Sequence, residues 1–297
     1  MKRPKIVGIG ELLWDVLPAG RRLGGAPVNF AFYAQEQGAE ACVVSAVGAD
    51  ASGDELLGGI AALGLDVRAV QRNAHPTSTV EVTLDGAGVP AYHIREEVAW
   101  DYIERTPAAD AAVADADVVC WGSLAQRSAV SRASIAAIVD AAPKECLRLF
   151  DINLRLNYYD EPTVRRSLER ADILKLNEDE LPVVARFFSL EGSAEQLVAQ
   201  LIERFSLRYV VFTEGSKGSR VTAADGRTSY LATPRVAVAD TVGAGDSFTA
   251  TFAAALLQGF PMEECHRRAV DVAAFVCTQH GAIAPLSEFK KTAISNR

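Results

Sequence analysis

The chain has 297 residues, 49% of them hydrophobic and 23% charged, a balance that suits a globular protein able to bury a large core. With 38 acidic and 30 basic residues the net charge is −8, which argues against a broad nucleic-acid or anionic-membrane surface. It leaves room for a local nest of backbone N–H groups that binds phosphate.

KIVGIG (5–10) has the composition of a buried strand, and a helix is predicted from near Pro27 to Gly38. ACVVSAVG (41–48) is a second strand. SGDELLGGIAALG (52–64) predicts a helix, with Ser52 and Glu55 in capping-box spacing and Gly64 as its stop. VEVTLDGAGVPAYHI (80–94) alternates around a glycine-rich turn and predicts a hairpin. Apolar runs at 117–122, 147–153, 172–177 and 208–215 predict further strands, separated by helical stretches near 128–142, 161–171, 177–187 and 193–205. A second hairpin, with Asp225-Gly226 at its turn, is predicted over 218–232, followed by helices over 246–258 and about 262–280. Strands alternating with helices imply an α/β fold: a doubly wound, mainly parallel sheet with helices on both faces, in one domain over 1–297. Segments at about 11–20 and 80–103 break that rhythm. They predict a small β-sheet lid over the carboxyl ends of the main strands, where such folds bind ligands.

The five cysteines are widely spaced and form no CxxC, as expected of reduced thiols in a cytoplasmic protein. The four histidines lack HxxxH or HExxH spacing, so no zinc site is expected. Glu11 and Asp15 interrupt the apolar run near the N-terminus, and no secretory leader is expected. Nor does any window reach about 18 uninterrupted apolar residues, the length of a membrane span.

The most informative stretch is DTVGAGDSFTATFAAAL (240–256). Phe248, Phe252 and Leu256 lie on one helical face, and Gly259 and Pro261 mark its end. Asp246 can be read as a plain N-cap. That leaves Gly243-Ala244-Gly245 unexplained. Glycines ahead of a helix let backbone N–H groups close on an anion, and the helix dipole adds positive potential. A carboxylate inside such a hole suits a general base that takes a proton from a hydroxyl attacking a phosphate.

Other motifs have a local and a functional reading. GGAPVNF (24–30) is either a tight loop entering a helix or a sugar loop, with close approach at Gly24 and Gly25 and the Asn29 amide for hydroxyls. Asp15 either faces solvent or accepts from sugar hydroxyls. Arg155 in DINLR (151–155) either makes a surface ion pair or meets a phosphate. Asn177 and Glu180 in KLNEDEL are close to a capping box. FTEGSKGS (212–219), with Thr213, Gly215 and Gly218, is a turn or a ledge for a nucleotide; HGAIAP (280–285), with Gly281 and Ala282, is a helix stop or a seat for a base. There is no GxxxxGK[ST], no GxSxG and no strand-linked GxGxxG.

Taken together, these segments resemble the ribokinase-like carbohydrate kinase family, often called PfkB, over about residues 5–287. GGAPVNFA with VGADASGDEL (47–56) is similar to the family's N-terminal signature, and DTVGAGDSFTATF to its C-terminal one. GELLWDVLPAG, LGGAP, DINLR and KLNEDEL look most like the fructokinase branch. The resemblance implies an ATP-dependent, Mg²⁺-requiring kinase of a free sugar, most readily fructose. Asp246 would be the catalytic base and Gly243, Ala244 and Gly245 the anion hole. Asp15, Gly24, Gly25, Asn29 and Arg155 would hold the sugar. Asn177, Thr213, Gly215, Gly218, Gly281 and Ala282 would hold the nucleotide, with Glu180 reaching Mg²⁺ through water. Asp240 and the carbonyls of Val242, Val276, Gln279 and Gly281 match a K⁺ site of many members. A homodimer through the lid is expected, with sugar and ATP as the small-molecule partners. Val242 departs from the threonine common in the family, and the stretch Ala91–Trp100 is individual to this chain. Kinases of ribose, a ketodeoxy sugar acid or a nucleoside are the alternatives, and so is a non-catalytic sugar-binding protein on the same fold.

Overall fold

The computed structural model describes residues 3–17, 20–84, 90–287 and 289. In chain order the N-terminal half runs β1 (Lys5–Ile9), β2 (Leu13–Leu17), β3 (Gly20–Gly24), α1 (Ala26–Glu36), β4 (Glu40–Gly48), α2 (Ala51–Ala62), β5 (Val70–Asn73), β6 (Ser78–Leu84), β7 (Pro90–Ile94), α3 (Pro107–Val113), β8 (Val118–Trp121) and α4 (Ala129–Ala141). It continues with β9 (Leu147–Asp151), α5 (Glu161–Leu168), β10 (Ile173–Asn177), α6 (Glu180–Phe188), α7 (Ala194–Phe205), β11 (Tyr209–Thr213), β12 (Gly218–Ala223), β13 (Thr228–Ala232), α8 (Ala244–Leu257) and α9 (Met262–Cys277).

The large sheet has the order β13-β12-β11-β10-β9-β8-β1-β4-β5. The pairs from β11 through to β5 are parallel, and β12 runs antiparallel between β11 and β13. Successive side chains on a strand face opposite ways. Val7 and Ile9 of β1 therefore join a core with residues of α3 to α7, while Ile6 joins a second core with α1, α2, α8 and α9. Both faces are covered over the central parallel strands, which is why those strands are largely apolar. From β1 the chain winds outward through β4 and β5 on one side, and from β8 through β11 on the other. That reversal opens a crevice at the carboxyl ends of β1 and β8.

The second sheet has the order β3-β2-β6-β7. It differs from the expected 11–20 and 80–103. Gly20–Gly24 is added as a strand, and the chain from 95 onward returns to the main body, where Val98, Ala99, Trp100 and Ile103 are fully buried. The hairpin pairs Val80 with Ile94, while its expected turn at 85–89 lies outside the described residues. α2 is capped by Asp50, which accepts from the Gly53 N–H at 2.7 Å, rather than by Ser52. Asp50 wins because the same carboxylate takes the Thr77 N–H (2.9 Å) and hydroxyl (2.7 Å), tying α2 to the start of β6. Gly64, with φ +81°, ends that helix as expected.

Candidate active site

α8 begins at Gly243, which has φ 79° and ψ −7°. A Cβ there would lie 2.7 Å from the Ala282 carbonyl oxygen, so glycine alone fits the left-handed turn and the close approach. Asp246 thus stands within the first helical turn and is not the cap. Its carboxylate accepts the Asn29 Nδ2–H at 2.8 Å. The neighbouring N–H groups of Gly245 and Asp246 belong to the first turn, where a helix offers no acceptor of its own.

Two residues passed over in the sequence lie beneath this turn. Lys175 of β10 pairs with Asp151 at the end of β9 at 3.0 Å, and both side chains are less than a tenth exposed. The second Asp151 oxygen accepts the Thr249 hydroxyl at 3.0 Å, one turn along α8 from Asp246. A Cβ at Gly245 would be 3.2 Å from the Lys175 ammonium, so this glycine admits the cation beneath the loop. Burial raises the Asp246 carboxyl to about 6; the Asp151 charge adds to the rise, and the Asn29 bond, Lys175 and Arg155 oppose it. The signal for Lys175 was a lone charge in the apolar run ILKLN.

Glu11, just after β1, was also missed, because it reads as a break in an apolar run. It is buried, accepts the Ala26 N–H at 3.4 Å, and is raised to about 7, chiefly by burial, with the Asp246 charge contributing. Gly25, with φ 119°, packs its backbone on the Glu11 carbonyl. Asn29 is buried, and its Oδ1 has no partner among the described residues. One hydrogen of its amide NH2 goes to Asp246, which leaves the second hydrogen and the open Oδ1.

Asp15 on β2 packs its carboxylate against Gly24 of β3, where any side chain would collide with it. Burial lifts Asp15 to about 6; the nearby Arg155 charge pulls it down and Asp240 pushes it up. It is half-buried, on the side of the small sheet toward Arg155 and Asp240. Arg155 is exposed and donates to the Leu154 carbonyl next to it at 3.2 Å; its charge reaches Asp15, Glu11 and Asp246 alike. Asn153 (φ 43°) and Leu156 (φ 49°) flank it in the left-handed region, a strained loop of the kind found at functional sites.

Asn177 and Glu180 form the reciprocal capping pattern. Asn177 Oδ1 accepts the Glu180 N–H at 2.9 Å, and Glu180 Oε2 accepts the Asn177 N–H at 2.8 Å. Glu180 Oε1 takes the Leu154 N–H at 2.9 Å, so this buried carboxylate also holds the Arg155 loop. Its pKa is raised by burial. Thr213 ends β11 opposite Ser219. Beyond it Gly215 turns with φ +53° and accepts from the Thr233 hydroxyl at 2.6 Å, and Gly218 packs tightly on the Leu231 carbonyl. Asp240 accepts from the Val242 N–H through one oxygen and the Gly281 N–H through the other, both at 3.0 Å. The Val276 carbonyl accepts the Gln279 N–H at 2.9 Å, closing the end of α9. The Ala282 carbonyl accepts the Tyr33 hydroxyl at 2.9 Å. Among the described residues no group of three or more His, Cys, Asp or Glu is arranged to hold a metal ion directly.

A glycine-started helix with a raised, anchored carboxylate therefore stands at the switch point of the sheet. A model of the pfkB family of carbohydrate kinases matches residues 15–288. The chain belongs to this family. A fructokinase of Klebsiella pneumoniae is 30% identical over 274 residues, covering 85% of this chain and 84% of that one. A putative sugar kinase of Pyrococcus horikoshii is 27% identical over 301 residues, covering 93% and 91%. The crystal structure of a Xylella fastidiosa fructokinase with bound ATP superposes with a TM-score of 0.84 at 22% identity, covering 100% of this chain and 99% of that one. Relatives named nucleoside kinase and ribokinase match as well. This pfkB member is therefore a phosphotransferase acting on a sugar hydroxyl, with the ribokinase-like fold expected from its sequence. No helix among its described residues is long and apolar enough to cross a membrane.

Proposed function

We propose that this pfkB-family kinase transfers the γ-phosphoryl group of ATP to the primary hydroxyl of a free hexose, fructose. The observation that carries the reading is Asp246: a carboxyl raised to about 6, anchored by Asn29, in the first turn of a helix with a glycine start. At neutral pH such a group is ionised, yet more basic than an ordinary carboxylate, which suits proton abstraction. As the sugar oxygen attacks the γ-phosphorus, its proton passes to Asp246, the bond to the β-phosphate oxygen breaks and ADP leaves. The N–H groups of the Gly243–Ala244–Gly245 loop take up the charge of the transferring group, with the Lys175 ammonium beneath adding positive potential.

Asp15, Gly24, Gly25, Asn29 and Arg155 hold the sugar in this reading, and the open Asn29 Oδ1 accepts one of its hydroxyls. Asn177, Thr213, Gly215, Gly218, Gly281 and Ala282 hold the nucleotide. Each Glu180 oxygen takes one backbone N–H and keeps a lone pair, which fits contact with Mg²⁺ through water better than direct ligation. Bound with the nucleotide, Mg²⁺ supplies neutralisation of phosphate charge. Asp240 with the carbonyls of Val242, Val276, Gln279 and Gly281 is the K⁺ site in this reading. The small sheet acts as a lid, and its edge strands β3 and β7 offer the contact for a homodimer of a cytoplasmic enzyme. The name of the Klebsiella relative supports fructose. A sugar acid is the second reading, favoured by the exposed Arg155 guanidinium beside Asp15. ADP release from MgATP across fructose, glucose, ribose, 2-keto-3-deoxygluconate and adenosine tests the choice. Strongest turnover on fructose is expected; preference for the sugar acid or adenosine overturns the assignment of acceptor.

A further inference from the structure

The dipeptide Arg21-Arg22 on β3 sends its two side chains to opposite faces of the small sheet. Arg21 is accounted for: it pairs with Glu55 of α2 and lies over the Trp14 ring at 4.7 Å. Arg22 is not. It stands directly opposite Asp15 in the β2–β3 register, hence on the face turned to the crevice. Among the described residues it makes no ion pair and no side-chain hydrogen bond. Its guanidinium instead rests on the backbone of Gly281, where an added Cβ would meet Nη1 at 2.7 Å and Cδ at 3.3 Å. Gly281 has φ +87° and donates to Asp240; the next residue, Ala282, packs on Gly243 at the start of α8. The Asp240 oxygens are both engaged by backbone N–H groups, and the acid does not pair with Arg22.

We propose that Arg22 is a phosphate-pairing residue, carried by the small sheet to the phosphoryl-donor side of the crevice. The proposal rests on the phosphoryl-transfer reading of this site. A guanidinium with no ion pair among the described residues, resting on the turn whose Ala282 packs on the start of α8, has a natural ligand in the phosphate chain of the nucleotide, which its planar fork matches bidentately. The same strand pair then presents Asp15 to the sugar and Arg22 to the phosphates. Arg155, after β9, is a second cation whose charge reaches Asp15, Glu11 and Asp246.

The test compares the wild type with Arg22→Ala, Arg22→Lys and, as a control outside the site, Arg21→Ala. Calorimetric affinities are measured for ATP, ADP and adenosine, with thermal melts to confirm folding. Loss of a charge-assisted contact predicts that Arg22→Ala weakens ATP about ten- to hundredfold, weakens ADP less and leaves adenosine unchanged. Arg22→Lys should recover part of the loss, and Arg21→Ala should bind all three as the wild type does. Equal weakening of ATP and adenosine means that Arg22 only props the Gly281 loop and overturns the proposal. So does unchanged ATP affinity in Arg22→Ala. Should Arg22→Ala not fold, Arg22→Lys and Arg22→Gln give the same comparison across the three ligands. Because these affinities need no acceptor sugar, a wrong acceptor assignment leaves the result intact.

Discussion

Replacing Lys175 with methionine removes the cation of the buried pair beneath Asp246 and leaves the Asp151 carboxylate, about a tenth exposed, with the Thr249 hydroxyl as its remaining side-chain partner among the described residues. Removing one partner of a buried pair costs about 3–5 kcal/mol, because the remaining charge is uncompensated. At roughly 2–4 °C per kcal/mol for a domain of this order, the melting temperature should fall by about 10 °C. Adding Asp151→Asn to Lys175→Met removes the orphan charge while keeping an acceptor for Thr249, so the double variant should recover most of that loss. Urea unfolding of the four proteins of the cycle measures this directly. The pair also tunes the Asp246 carboxyl, the proposed base. Lys175 holds the Asp246 carboxyl down and Asp151 pushes it up. The acid limb of kcat/KM should therefore move to higher pH in Lys175→Met and to lower pH in Asp151→Asn. A Lys175→Met variant as stable as the double, or acid limbs that shift the same way, would refute the argument.

In the wild type, kcat/KM should fall as pH drops through about 6, because Asp246 must be ionised to accept a proton; a limb near 4 would contradict the burial argument. His266 gives a stability prediction. It is fully buried, bridges Ser219 (2.9 Å) and Ser229 (2.8 Å), and burial lowers it to about 4. The unfolded chain then binds its proton near pH 6.5, before the folded one does. This contribution is complete above about 6.5 and is lost as pH falls towards 4, up to roughly 3 kcal/mol at about 1.4 kcal/mol per unit. His266→Gln should flatten that part of the urea-midpoint profile between pH 7 and 4; an unchanged slope would remove His266 as its source.

The parallel sheet was legible because its strands are buried on both faces and run apolar without a break, as in ACVVSAVG and RYVVFTEG. The small sheet was harder. GRRLG carries two arginines and two glycines, yet it pairs fully with β2 because the Asp15 carboxylate packs on Gly24. Residues 95–103 looked like more of the same sheet, but Trp100 is stacked under Arg127 at 4.0 Å and anchored in the main core. Only tertiary contact decides that. In the site, the glycines around Asp246 announced themselves by spacing, and Gly243 does adopt the left-handed start. The groups that tune the Asp246 carboxyl did not. Asp151 and Lys175 lie on neighbouring strands, and their effect on Asp246 comes from proximity across the sheet; Glu11, just after β1, has its own carboxyl raised by Asp246. The Asn177–Glu180 pair had a local reading, and the hydrogen bonds show that reading to be real: Asn177, at the end of β10, and Glu180, at the first position of α6, satisfy each other's backbone N–H groups. Any contact with Mg²⁺ is additional to that role.

The most direct measurement is single-turnover phosphoryl transfer from MgATP to fructose by the wild type and by Asp246→Asn, with nucleotide affinity and melting temperature measured on the same samples. Asparagine keeps the size of the side chain and a hydrogen-bonding oxygen while removing the base. The account predicts transfer slowed by about 10²–10⁴-fold, with folding and nucleotide binding retained. Near-normal transfer by the variant would contradict it.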